Sequence, residues 1–330
     1  GNILFNVKLF HCDKPEPLGN NVNCYASPSP VIEPGRVYVH FGSYGTACLD
    51  TSDAKVIWKR DDLPCRHFRG PGSSLVMFED LLILTMDGID VQYMIALDKK
   101  TGKTVWKTDR TATWNDLDPD GKPHMEGDYR KAYSTPFIAG VNGKPQMFTT
   151  GAKAIYGYDP ATGKELWKVR HSCFSAALRP VHYNGIAIMN TGVGAKNELL
   201  AIKVAGQGDV TDTHVAWRLE QAVPRTPSPI IAGSLLYMIS DDGTVTCLNP
   251  MTGKQVWQER IRSNYCASPV YADGRIYFFS NQGRTTVIKA GSTCDIIATN
   301  NLDGGFMASP AVYGKSLILR TKTHLYRVEE

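Results

Sequence analysis

Residues 96–106 read ALDKKTGKTVW, and the chain writes this pattern four times. Residues 48–58 are CLDTSDAKVIW, residues 157–167 GYDPATGKELW and residues 247–257 CLNPMTGKQVW. In each copy an Asp or Asn (Asp50, Asp98, Asp159, Asn249) stands eight residues before a Trp, and a Lys (Lys55, Lys103, Lys164, Lys254) stands three before it. Four matches in register mean one structural unit copied along the chain.

One copy reads as a β-hairpin. A short apolar strand such as residues 93–97 or 244–248 leads to the Asp or Asn, whose side chain folds back onto amides two residues on. Gly102, Gly163 and Gly253 then supply the positive φ that the turn needs. Ala54 replaces that glycine in the first copy, so a slightly different turn is expected there. Trp58, Trp106, Trp167, Trp217 and Trp257 open the return strand and read as packing residues.

A second motif heads each hairpin: Ser29-Pro30, Ser134-Thr135-Pro136, Arg179-Pro180, Ser228-Pro229, Ser268-Pro269 and Ser309-Pro310, with Ser73-Ser74-Leu75 in the same place without proline. Proline at a strand head suits an edge strand, where a missing N–H leaves nothing unpaired. Each repeat is thus four antiparallel strands in roughly 40 to 60 residues, the pattern of a propeller blade. The sixth outer strand, near residues 295–298, lacks its Trp. Seven strand heads predict an all-β, seven-bladed β-propeller forming a single domain over residues 1–330. The last blade, residues 310–328, runs out of chain. Residues 3–10, ILFNVKLF, alternate as a strand and are expected to complete that blade and close the ring.

Composition sets the bounds. The 330 residues are 42% hydrophobic with a net charge of +4. No apolar run reaches about 18 residues, so no transmembrane segment is expected. The charge is too small and dispersed for nucleic-acid binding. The start at Gly1-Asn2 shows no leader, so any export signal is expected to be removed or absent. Eight cysteines (12, 24, 48, 65, 173, 247, 266, 294) include no CxxC pair. Cys48 and Cys247 take equivalent repeat positions and read as buried small residues.

With these motifs in hand, the chain resembles the bacterial pyrroloquinoline-quinone-like (PQQ-like) β-propeller repeat family, whose blades carry Ala-x-Asp-x-x-Thr-Gly-Lys-x-x-Trp. The resemblance implies a propeller over the whole chain and an extracytoplasmic place, periplasmic or secreted. The family includes quinone-dependent dehydrogenases, which carry a vicinal Cys-Cys pair stacked on an eight-bladed ring's quinone, and an outer-membrane assembly lipoprotein. This sequence has no adjacent cysteines, so no bound PQQ is expected.

Loops entering the inner strands are expected to share one face, opposite the Thr-Gly-Lys turns. They carry Arg66, His67 and Arg69; Asp128, Tyr129, Arg130, Lys131 and Tyr133; His171 and Arg179; Arg225, Asn264 and Tyr265. Arginine forks suit anions, aromatic faces suit sugar rings, and histidines titrate near neutrality. A pocket for an anionic ligand is therefore expected at Arg66, His67, Arg69, Tyr129, Arg130, His171, Arg179, Arg225 and Tyr265, its arginines gathered without matching carboxylates. The plain alternative is that these side chains plug the channel. Separately, Asp116-x-Asp118-x-Asp120-Gly121 resembles half of an EF-hand loop and is a candidate Ca2+ site, although Gly127 stands where the twelfth-position Glu belongs.

Three functions fit this reading. The first is a monomeric binding or scaffold module for a glycan, another anionic small molecule or a partner protein. The second is an enzyme on the same face, a uronate polysaccharide lyase with His67, Tyr133 or His171 moving protons. The third is a quinone-dependent dehydrogenase.

Overall fold

The computed structural model describes residues 1–19 and 22–329. Seven sheets, antiparallel except for one short parallel strand in the third, account for nearly all its regular structure, and the protein is a seven-bladed β-propeller. The blades span residues 31–60, 76–109, 137–170, 181–219, 230–260, 270–301 and 311–328. The chain divides into two compact units. The first holds residues 1–177 with 193–195 and 206–211, and the second holds the rest. Repeat counting alone implies one continuous domain.

In the first unit, the second blade shows why these sequences make sheets buried on both faces. The strand Leu81–Asp87 reads LLILTMD. Leu82, Leu84 and Met86 cluster with Tyr38, Cys48 and Trp58 of the first blade. Ile83 instead clusters with Met147, Tyr156 and Tyr158 of the third. Alternate side chains leave opposite faces of a strand, so a strand sandwiched between two sheets is apolar throughout. The second unit repeats the arrangement. Leu236 and Met238 join Ile186 and Ile188, while Tyr237 and Ile239 join Ile276 and Phe278.

The repeated turn is also the joint between blades. Asp98 accepts hydrogen bonds from the Lys100 and Thr101 amides and from the Thr101 hydroxyl, and Asn249 accepts from the Met251 and Thr252 amides. Gly102, Gly163 and Gly253 then take φ of 70°, 71° and 69°. The Trp of the preceding blade lies on each of these glycines. A Cβ on Gly163 would come within 2.4 Å of Trp106, and one on Gly253 within 2.6 Å of Trp217. The indole N–H then donates to a backbone carbonyl of the same turn: Trp58 to Lys99, Trp106 to Pro160 and Trp217 to Pro250. Trp167 departs from this pattern and donates to Gln146 of its own sheet. Ala54 adopts φ 58°, so the first turn keeps the left-handed shape rather than differing.

A register shift recurs where the third strand meets the fourth, between Cys48 and Leu49, Ala96 and Leu97, Gly157 and Tyr158, and Cys247 and Leu248. The small residue at each shift lies opposite the Trp, which explains buried Cys48 and Cys247. In the sixth blade Ala298 takes the Trp place opposite Val287.

The strand heads form a relay. The Ser29 amide donates to the Ser74 hydroxyl, and the Ser74 amide to that of Thr135. In the second unit Arg179 donates to Ser228, Ser228 to Ser268 and Ser268 to Ser309. The hydroxyl satisfies a neighbouring blade's amide, a role that edge-strand reasoning does not supply.

The N-terminal closure is corrected. Residues 3–10 form no strand, and the last sheet has three strands. Phe10 instead packs over Gly45 and edge-on to Phe41 at 6.1 Å, while Ile3, Leu4 and Phe5 stay exposed. Burying Phe10 against the loop of the first blade holds the segment there.

Candidate functional site

The loops that enter the second and third blades meet in the first unit. Asp128 is their centre: it makes a close ion pair with Lys131 and lies 3.5 Å from the Arg69 guanidinium. The Lys131 side chain is 1% exposed, with the rings of Phe68 and Phe174 each 5.7 Å from its nitrogen. Burial, then repulsion from Arg69, pulls this amine down to about 7, against the pull of Asp128. The segment that delivers Asp128 is tightly wound, with Met125, Glu126 and Gly127 all at positive φ. Tyr129 packs on Phe174 at 4.6 Å, and the Tyr133 amide donates to the Ala176 carbonyl.

Three of the five arginines expected to lack carboxylates have them. Arg66 pairs with Glu16 at 2.8 Å, Arg69 with Asp128, and Arg130 grips Asp116 through two nitrogens. The expectation of an unmatched cluster is corrected for Arg66, Arg69 and Arg130: Glu16 and Asp116 reach in from segments outside the inner-strand loops, and Asp128 turns inward from within them. In the second unit, the Arg225 amide donates to Asp241, whose carbonyl accepts from the Tyr265 amide. Tyr265 itself is buried. The Arg179 amide serves the strand-head relay, and partial burial lowers the pKa of its guanidinium.

The three candidate proton carriers are shielded. His67 is buried, accepts from the Ser43 amide and lies 3.6 Å from the Cys65 sulfur. Burial lowers the imidazole to about 4 and pushes the Cys65 thiol well up, so the pair is neutral. His171 accepts from the Cys173 amide, and burial followed by the Lys153 charge takes it to about 3. The Tyr133 hydroxyl is buried with no hydrogen-bond partner among the described residues, and burial raises its pKa.

The acidic loop is occupied from within. Asp116 is spent on Arg130, which holds its carboxyl below the usual range. Asp118 accepts from the amides of Asp120 and Lys122, closing its own turn. Among the described residues no group of three or more His, Cys, Asp or Glu is arranged to hold a metal ion.

Sequence reasoning passed over Trp114. The chain has six tryptophans, and five sit in repeat register on fourth strands. Trp114 does not. Together with Thr111, Lys153, Lys168, Arg170 and His171 it lines a cleft of about 540 Å³ in the first unit. Being out of register was the legible signal.

Comparison with known proteins follows the same lines. The family model described as "Outer membrane protein assembly factor BamB" matches residues 17–109 and 90–330. The chain belongs to this family of PQQ-like β-propellers. It is 21% identical over 209 residues to an outer membrane protein assembly factor BamB of Yersinia pestis, covering 58% of this chain and 48% of that protein. It is 26% identical over 153 residues to the quinohemoprotein alcohol dehydrogenase ADH-IIG of Pseudomonas putida, covering 42% of this chain and 19% of the relative. The chain thus spans about half or less of the curated relatives it matches. Among solved structures, BamB from Moraxella catarrhalis superposes with TM-score 0.62 at 16% identity, over 87% of this chain and 79% of that one. Quinohemoprotein alcohol dehydrogenase from Comamonas testosteroni gives 0.65 at 13% identity, over 88% and 62%. At these identities the likeness is one of fold.

Proposed function

We propose that this chain is an extracytoplasmic scaffold propeller that holds a partner protein, in the manner its relatives' title of assembly factor suggests. One contrast carries the reading. His67 and the Tyr133 hydroxyl are buried and His171, on the wall of the Trp114 cleft, is held neutral, whereas Ile3, Leu4 and Phe5 project apolar surface into solvent. Such a surface offers contact area rather than reacting groups. No helix among the described residues is long and apolar enough to cross a membrane. The dehydrogenase relatives share the blades, but blade architecture alone assigns no chemistry.

A photo-crosslinking amino acid placed at Leu4, with a second placed at Lys203 as control, tests this in the envelope of the producing cell. A discrete protein adduct at Leu4 and none at Lys203 is expected. No adduct at Leu4, together with dye-linked oxidation of alcohols on adding pyrroloquinoline quinone, overturns the scaffold reading in favour of the dehydrogenase one. Absorbance at the unsaturated-uronate band during incubation with polyuronates overturns it in favour of the lyase.

A further inference from the structure

The cleft beside Trp114 borders the Asp128 cluster, with the Lys153 nitrogen 5.9 Å from the Tyr129 ring centre, and is unused by the scaffold reading. Three cations line it. Lys153 donates to the Ser172 carbonyl at 2.7 Å and, among the described residues, pairs with no carboxylate. Lys168 donates to the Thr111 hydroxyl at 2.9 Å and has Glu165 at 3.9 Å. Arg170 pairs with Asp209 at 2.8 Å. Asp209 reaches the cleft because Gly208–Asp209 runs parallel to the outer strand of the third blade. Three positive charges thus face the carboxylates of Glu165 and Asp209; Asp116 also acts on Lys153 but is itself paired with Arg130, so one positive charge remains in excess beside Lys153.

The aromatic wall is braced from behind. Arg130 does not line the cleft; its guanidinium lies 5.9 Å from the Trp114 ring centre and is itself gripped by Asp116 at two nitrogens. The acidic loop therefore fixes a flat indole at the edge of a cationic cavity. Thr113 and Asn115 add a hydroxyl and an amide beside it, while the Thr111 hydroxyl donates to Glu165 and accepts from Lys168. At about 540 Å³ the cavity falls in the range of small-ligand sites, roughly 300–1,000 Å³.

We propose that this cleft binds a pyranose sugar acid, with the ring's apolar face on Trp114 and its carboxylate against Lys153. An indole offers a large flat apolar face, an ammonium outside any ion pair among the described residues attracts a carboxylate, and the hydroxyl and amide groups match sugar hydroxyls. An acidic peptide would satisfy the cation but leave the braced indole and the row of small polar groups without a role.

Isothermal titration with trigalacturonate tests the assignment, using its methyl ester, neutral galactose and a polyglutamate peptide as comparators. Saturable binding of the free acid is expected, at least about tenfold tighter than the ester. Trp114→Ala and Lys153→Gln should each weaken it about tenfold, while Lys203→Gln leaves it unchanged. Melting curves of the variants show whether each is folded, and Lys153→Gln carries the test if Trp114→Ala is not. Absent saturation, equal binding of ester and acid, tighter binding of polyglutamate, or wild-type affinity in folded Lys153→Gln each overturns the proposal. The crosslinking experiment at Leu4 does not depend on this cleft, so the two readings fail separately.

Discussion

Gly163 and Ala54 occupy equivalent turn positions and show what a single Cβ decides. Gly163 sits at φ 71° with Trp106 where a Cβ would go. Gly163→Ala is expected to cost about 1–3 kcal/mol, combining left-handed strain with displacement of the indole. Ala54 already carries that strain at φ 58°. Ala54→Gly should therefore raise stability by about 0.5 kcal/mol, the strain relieved exceeding the chain entropy added. Urea unfolding of both variants checks the opposite signs. The turn residues were legible because Asp, Asn and Gly act on their own neighbours. The pairing of Arg66 with Glu16 was not, since those two residues lie far apart in sequence and meet through loops with no repeat pattern.

At the scale of the element, the Trp strand and the following blade's turn act as one joint. Trp106 contributes both ring packing on Gly163 and a hydrogen bond to the Pro160 carbonyl at 3.1 Å. Trp106→Phe should lose mainly the hydrogen bond and cost about 1 kcal/mol, with some packing loss added. Trp106→Ala should cost about 3–5 kcal/mol by opening a cavity between blades. Equal losses in the two variants, measured by thermal or urea melts, would contradict this division. The strand-head relay behaves similarly: Ser268→Ala leaves the Ser228 amide without its acceptor and should cost about 1 kcal/mol. The serines were visible in the sequence, but which amide each hydroxyl serves depends on a neighbouring blade.

At the scale of the molecule, three histidines set a pH dependence. His40, His67 and His171 are held to about 3, 4 and 3, in each case chiefly by burial. Their folded values lie below the ordinary value near 6.5, so between about pH 6.5 and 4 the unfolded chain binds protons that the native one does not. Stability therefore falls as pH falls through that window, by at most about 1.4 kcal/mol per pH unit for each histidine. Melting temperature should drop clearly from pH 7.5 to 5, and His171→Asn should flatten the profile. A second prediction concerns the amino-terminal segment. Because residues 3–10 pair with no strand and only Phe10 packs firmly, deleting residues 1–7 should leave the melting temperature almost unchanged.

Periodicity carried the repeat and the number of blades, and side chains bonding to amides a few residues away carried the Asp-Gly turns, whereas the expected closing strand and the expected difference at Ala54 did not follow. Trp114, the tryptophan out of register, was visible in the same pattern but passed over. Where charge is neutralised was settled by packing between loops. Glu16, Asp116 and Asp128 lie in irregular loops, and whether an arginine meets a carboxylate or stays open to a ligand is a matter of distances between loops. The same holds for residues 3–10, whose alternation is compatible with a strand. A strand forms only where a partner edge accepts its amides, and for this segment the packing of Phe10 on Gly45 prevailed.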